Sequence, residues 1–183
     1  TPTLTLDTIS AAGLGDITIT GPATIVQSSA QAIVSDHLDV TVDGPLELAL
    51  AVNSLSGQAS GDVEINNSGF SAFTVTDLTV ADGSATINHP SGSMVLQSLQ
   101  LPSTRDANDL AVNAGSHLQL GDVRVGIYYA SDEEAAGSVL TAQGDVTLTA
   151  GGTISEAGTD VDVDLVGDQI TISAHSGITG LEI

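Results

Sequence analysis

The chain has 183 residues, with 23 acidic side chains against two basic ones, Arg105 and Arg124, and a formal net charge of −21. Such a balance argues against nucleic acid and anionic membrane surfaces as partners, because counterion release needs a basic patch. Cysteine is absent, which excludes disulfides and thiol catalysis, and no apolar run approaches the ~20 residues of a membrane-spanning helix.

Hydrophobic residues make up 41% of the chain and are almost entirely Val, Ile, Leu and Ala. The remainder is rich in Thr, Ser, Asp, Asn and Gly, which favours strands and turns. No window carries the three-and-four spacing of an amphipathic helix. From the N-terminus, TPTLTL reads as a strand, and GDITIT (Gly15–Thr20) puts Ile17 and Ile19 on one face with polar Thr between them. The same couplet returns as Val40/Val42, Val63/Ile65, Ala85/Ile87, Leu110/Val112, Val146/Leu148 and Ile170/Ile172, at offsets of 23, 23, 22, 25, 36 and 24 residues. Turns such as Gly44–Pro45 and Gly151–Gly152 follow the couplets. A second apolar segment comes next (Leu46/Leu48/Leu50, Phe73/Val75, Met94/Leu96, Leu118/Leu120), then a third (Leu78/Val80, Leu99/Leu101, Val161/Val163/Leu165).

A three-residue strand cannot bury its apolar face alone, but strands stacked at ~4.8 Å per rung form a parallel sheet over a continuous core. The spacing therefore predicts an all-β chain. Its fold is a right-handed parallel β-helix (β-solenoid) of about seven coils of ~23 residues, three strands per coil, and a rod about 30–35 Å long. Residues 1–183 are expected to form one solenoid domain. The strand-like opening at Thr1 suggests a fragment of a longer protein, whose open strand edges invite end-to-end self-association.

Asn66, Asn88 and Asn113 hold the same place in three successive coils, where side-chain amides can bond up and down the stack as a structural ladder. The long coil carries an inserted loop, about residues 121–143, with Tyr128, Tyr129, Asp132, Glu133 and Glu134 as a candidate partner-binding surface. In TDVDVDLVGD, alternation places Asp160, Asp162 and Asp164 on one outer face, where three carboxylates could share a hard cation such as calcium. No other cofactor is expected. His37, His89, His117 and His175 are isolated from one another, and His37 and His89 read as turn residues. Neither a nucleophile elbow nor a phosphate loop is present; the latter needs a Lys, and the chain has none. Thr18/Thr20 and Thr147/Thr149 suit an ice-binding array, but Asp43 and Glu64 break it.

The phrases GDVTLTAGGTISEAG and GDITITGPATI resemble repeats of very large bacterial exoproteins, the filamentous-haemagglutinin-like adhesins and related autotransporter passengers. The resemblance implies a β-helical shaft exported to the cell surface or beyond, without catalytic residues. Coils of ~23 residues are longer than the repeats typical of the haemagglutinin shaft. The expected function is a non-enzymatic adhesive or structural segment of a secreted or surface adhesin. A glycan or protein of a host or neighbouring cell would be its partner, and the segment itself would not insert into a membrane. The alternative is a carbohydrate-active β-helix, a polysaccharide lyase or depolymerase, in which Arg105 or Arg124 would have to act as the base.

Overall fold

The computed structural model describes residues 3–6, 9–11, 15–21, 24–27, 32–103, 105–126, 144–158 and 162–183. Among them every regular element is a β-strand. The first coils hold β1 (Thr3–Leu6), β2 (Ile17–Gly21), β3 (Thr24–Gln27) and β4 (Ile33–Val42). One long strand, β5 (Leu46–Ala59), runs through the next coil. Three coils then pair a short strand with a long one: β6 (Val63–Asn67) and β7 (Ala72–Val80), β8 (Ala85–His89) and β9 (Ser93–Leu101), β10 (Leu110–Ala114) and β11 (Leu118–Val125). The last coils carry β12 (Val146–Ala150), β13 (Thr153–Glu156), β14 (Leu165–Val166), β15 (Ile170–Ala174) and β16 (Gly177–Thr179). All sixteen belong to one sheet, wound as a β-solenoid of about seven turns, and each strand pairs in parallel with the strand one coil away.

Each long strand serves two faces of the coil. In β9 the buried residues are Met94, Leu96, Leu99 and Leu101, so alternation slips by one residue between Leu96 and Leu99. That slip turns a corner, because a change of parity moves the next side chains to the other face of the ribbon. Each of three faces carries aliphatic columns. One runs Ile25, Leu46, Val63, Ala85, Leu110, Val146, Ile170. A second runs Ile17, Leu38, Leu55, Val75, Leu96, Leu120 and ends at Glu156. The third runs Ile19, Val40, Gly57, Leu78, Leu99, Val123, Leu165.

These columns correct the expected register. Val63, Ala85, Leu110, Val146 and Ile170 do stack, but Ile17/Ile19 and Val40/Val42 lie on other faces, and Leu46/Leu48 is the true predecessor of Val63/Ile65. Leu46 to Val63 spans only 17 positions, because β5 passes straight through a corner at which the following coil makes a loop. Ala, Val and Leu couplets look alike on all three faces, so spacing alone misassigned the first two.

The Gly-Asp phrase likewise marks two different corners. Gly61–Asp62 and Gly144–Asp145 precede β6 and β12, whereas Gly121–Asp122 lies inside β11. At the first corner each side-chain oxygen accepts a backbone N–H from one coil above. Asp62 Oδ1 takes Ser84 N at 2.9 Å, Ser84 Oγ takes Asp109 N at 3.1 Å, and Asp109 Oδ1 takes Asp145 N at 3.0 Å. Gly is needed beside these acceptors: a Cβ on Gly144 would stand 2.2 Å from Asn108 O.

Two polar side chains are built into the core. Asn67 is fully buried; its Oδ1 accepts Val52 N at 3.0 Å and its Nδ2 donates to Val52 O at 2.9 Å. The amide thus imitates a strand partner where the chain leaves the ladder to form the loop before β7. His89 follows one coil above, its Nδ1–H donating to Asn67 O at 2.9 Å and its ring tilted against Phe73, the bulkiest buried side chain. His37 lies within β4, bonded through both ring nitrogens to Ser54 and Ser56. Neither histidine is a turn residue.

Candidate cation site and adjoining cleft

The acidic surface is organised coil by coil. Asp39, Ser56, Asp77, Ser98 and Asp122 occupy successive rungs of one outward row. Ser56 Oγ donates to Asp39 Oδ1 at 2.9 Å, and Ser98 Oγ to Asp77 Oδ1 at 3.2 Å. Asn53 serves Asp36 and Ser60 serves Asp43 in the same way. Serine and asparagine thus alternate with the acids. Along the row from Asp39 to Asp122 like charges stand two rungs apart, about 9.6 Å, where aqueous screening makes their repulsion small, whereas on another face Glu47 and Glu64 are direct neighbours.

The pattern fails at the last coils. Val123 N donates to Asp164 O at 2.9 Å, so Asp164 lies directly above Asp122 with no serine between. Asp164 N and Leu165 N in turn bond Glu182 O at 3.0 and 3.2 Å, which places Glu182 one coil higher. Glu156, at the end of β13, comes in from the second column. Carboxylate oxygens of Glu156, Asp164 and Glu182 all lie within 4.8 Å of one another. Asp164 is only 4% exposed, and its Oδ2 accepts Glu182 N at 3.0 Å. Oε2 of Glu182 is enclosed and has no hydrogen-bond partner. The Glu182 carboxyl is pushed above the usual carboxylate range, first by its side-chain hydrogen bond to Asp164, then by desolvation, then by the charges of Asp164 and Glu156.

A cleft of about 390 Å³ opens beside this cluster, and Asp164 belongs to both. Asp122, Arg124, Asp162 and Gln97 also line it. The Arg124 guanidinium contacts Asp122, whose other oxygen accepts Gln100 Nε2 at 3.1 Å. Arg105 sits elsewhere, paired with Asp82 at 3.0 Å.

The expected site residues are divided by the structure. Asp162 is exposed and Asp164 buried, and both line the cleft; Asp160 lies outside the described residues. Tyr128, Tyr129, Asp132, Glu133 and Glu134 lie outside them too. Asn66, Asn88 and Asn113 stand in register, and Asn88 Nδ2 donates to Asn66 Oδ1 at 3.0 Å. Sequence reasoning missed Glu156 and Glu182. The signal for Glu156 was its place in TISE, where LQL one coil below carries Leu120; Glu182 offered none.

No helix among the described residues is long and apolar enough to cross a membrane. Compared with known proteins, the chain matches no family model, no curated protein and no solved structure.

Proposed function

We propose that the chain is a length of stiff, non-enzymatic shaft in a large bacterial adhesin, secreted or held at the cell surface. What carries the reading is the stacking itself: inward columns on three faces rise through the coils with Leu, Ile and Val at nearly every rung. Each coil packs on its neighbours alone, so length is added without a new core and stiffness follows from continuous backbone pairing. The acidic outer surface, on which Asp36, Asp39 and Asp77 are each bonded to a Ser or Asn of the next coil, keeps such a rod soluble without folding it back on itself. Contacts with a glycan or protein of another cell would be presented from loops on this shaft. Antibodies raised against the chain test the placement. They should label intact cells producing the parent protein; labelling only after lysis would contradict an exported shaft.

A second reading, a polysaccharide lyase or depolymerase, draws on the cleft in which Arg124 lies beside Asp122, Asp162 and Asp164. Incubation with uronate and neutral polysaccharides is expected to yield no new chain ends. Turnover that Arg124→Ala abolishes would replace the shaft with an enzyme.

A further inference from the structure

The outward sides of β4 and β5 bring four side chains into one two-by-two block. Register sets His37 opposite Ser54 and Asp39 opposite Ser56. Ser56 Oγ donates its only hydrogen to Asp39 Oδ1 at 2.9 Å, so toward His37 it accepts. The 3.0 Å contact between His37 Nε2 and Ser56 Oγ therefore puts the proton of the neutral ring on Nε2. Nδ1 is left with a lone pair, and Ser54 Oγ stands 2.8 Å from it as the donor. A hydroxyl, a base and a carboxylate-anchored group that orients the base thus stand in one line, the arrangement that activates a serine. The other serine–acid pairs, Ser98 with Asp77 and Ser60 with Asp43, bond directly with no ring involved. His117 also meets a hydroxyl, Thr153 Oγ1 at 2.8 Å, but its Nδ1 receives the Thr153 N–H at 3.2 Å as well.

We propose that Ser54 is a nucleophile that takes an acyl group from an ester, with His37 as its base. Ser54 Oγ forms a bond to the ester carbonyl carbon, and the bond from that carbon to the departing oxygen breaks. The hydroxyl proton passes to His37 Nδ1 and from there to the departing oxygen, which leaves as an alcohol. Ser56 and Asp39 are positioning residues. They hold the ring in the tautomer that can receive the proton, and the carboxylate steadies the imidazolium through the Ser56 hydroxyl. All four side chains are part-buried on the outer side of a strand pair, so solvent reaches the developing oxyanion. Single acylation is therefore expected, and not the rapid turnover that fixed oxyanion donors support. This inference does not depend on the adhesin reading.

Treatment of the chain with 4-nitrophenyl acetate, followed by peptide mass spectrometry, tests it. The acetyl group is expected on Ser54, arriving at least about tenfold faster than on any other serine. His37→Gln, which keeps the serine, should slow acetylation of Ser54 by about 10²-fold while keeping the far-ultraviolet circular dichroism of the parent. Asp39→Asn should also slow it, and Asp39→Glu should restore part of the rate. Ser98→Ala, on the row without a histidine, should leave it unchanged. Because the acetyl group is located in the parent chain, the first result needs no variant to fold. Ser54 labelled no faster than the other serines, or acetyl groups confined to histidine rings, would overturn the proposal. So would an undiminished rate in His37→Gln.

Discussion

Asn67 shows how a single side chain sets the path of a coil. Its amide satisfies both backbone groups of Val52 at a point where β-pairing is interrupted, and its own carbonyl receives the His89 ring. Removing the amide leaves a buried N–H and a buried C=O without partners, each worth roughly 1–3 kcal/mol. Asn67→Ala should therefore lower unfolding free energy by about 2–5 kcal/mol in urea titration. Asn67→Asp should cost more, because an ionised carboxylate cannot donate to Val52 O. A loss below about 1 kcal/mol for Asn67→Ala would show the corner to be held by other means. Gly57 is the counterpart on the backbone side. It takes the place of an aliphatic residue in the third column at φ +152°, and a Cβ there would fall 1.9 Å from Val40 O. Gly57→Ala should force the two strands apart and cost about 2–4 kcal/mol, read as a drop in the urea midpoint.

At the scale of elements, the strands stack because alternation gives each one an inward face too small to stand alone. This much was legible in the sequence: strict alternation announced strands, and recurrence of the couplets announced parallel stacking. Register was not. Val40/Val42 and Val63/Ile65 are chemically equivalent couplets, and only the hydrogen-bonded ladder reveals that Leu46/Leu48 intervenes on the face of Val63. Of the three clustered carboxylates only one was visible, for a similar reason. Asp164 stood in an obvious acidic run, whereas Glu156 and Glu182 reach it from one strand before and one segment after, a convergence that winding creates. The element that departs from pattern is β13, with Glu156 ending an aliphatic column. In calcium-free buffer, Glu156→Leu should stabilise the chain by about 1–3 kcal/mol, since it restores the column and removes one of three clustered charges. A destabilised variant in chemical denaturation would mean that Glu156 is held by interactions the column does not require.

At the scale of the whole molecule, the described strands form a stack with outermost strands at each end. β15 and β16 close the path of the sheet at one end, and there Ile178 is 48% and Ile183 66% exposed, while Leu4 of β1 is 42% exposed at the other. Strand edges with unpaired backbone groups and apolar flanks pair readily with further strands. Sedimentation velocity of the isolated chain should therefore show association that grows with concentration, and a strict monomer throughout would mean that the ends are protected. The rod itself rests on in-register winding. Glu47, Glu64, Thr86, Ala111, Thr147 and Thr171 follow one another along a single outward row. Spin labels at positions 47 and 171 should accordingly give a narrow distance distribution centred near 24 Å, five rungs of ~4.8 Å. A broad distribution, or a narrow one beyond about 35 Å, would be incompatible with stacked parallel coils.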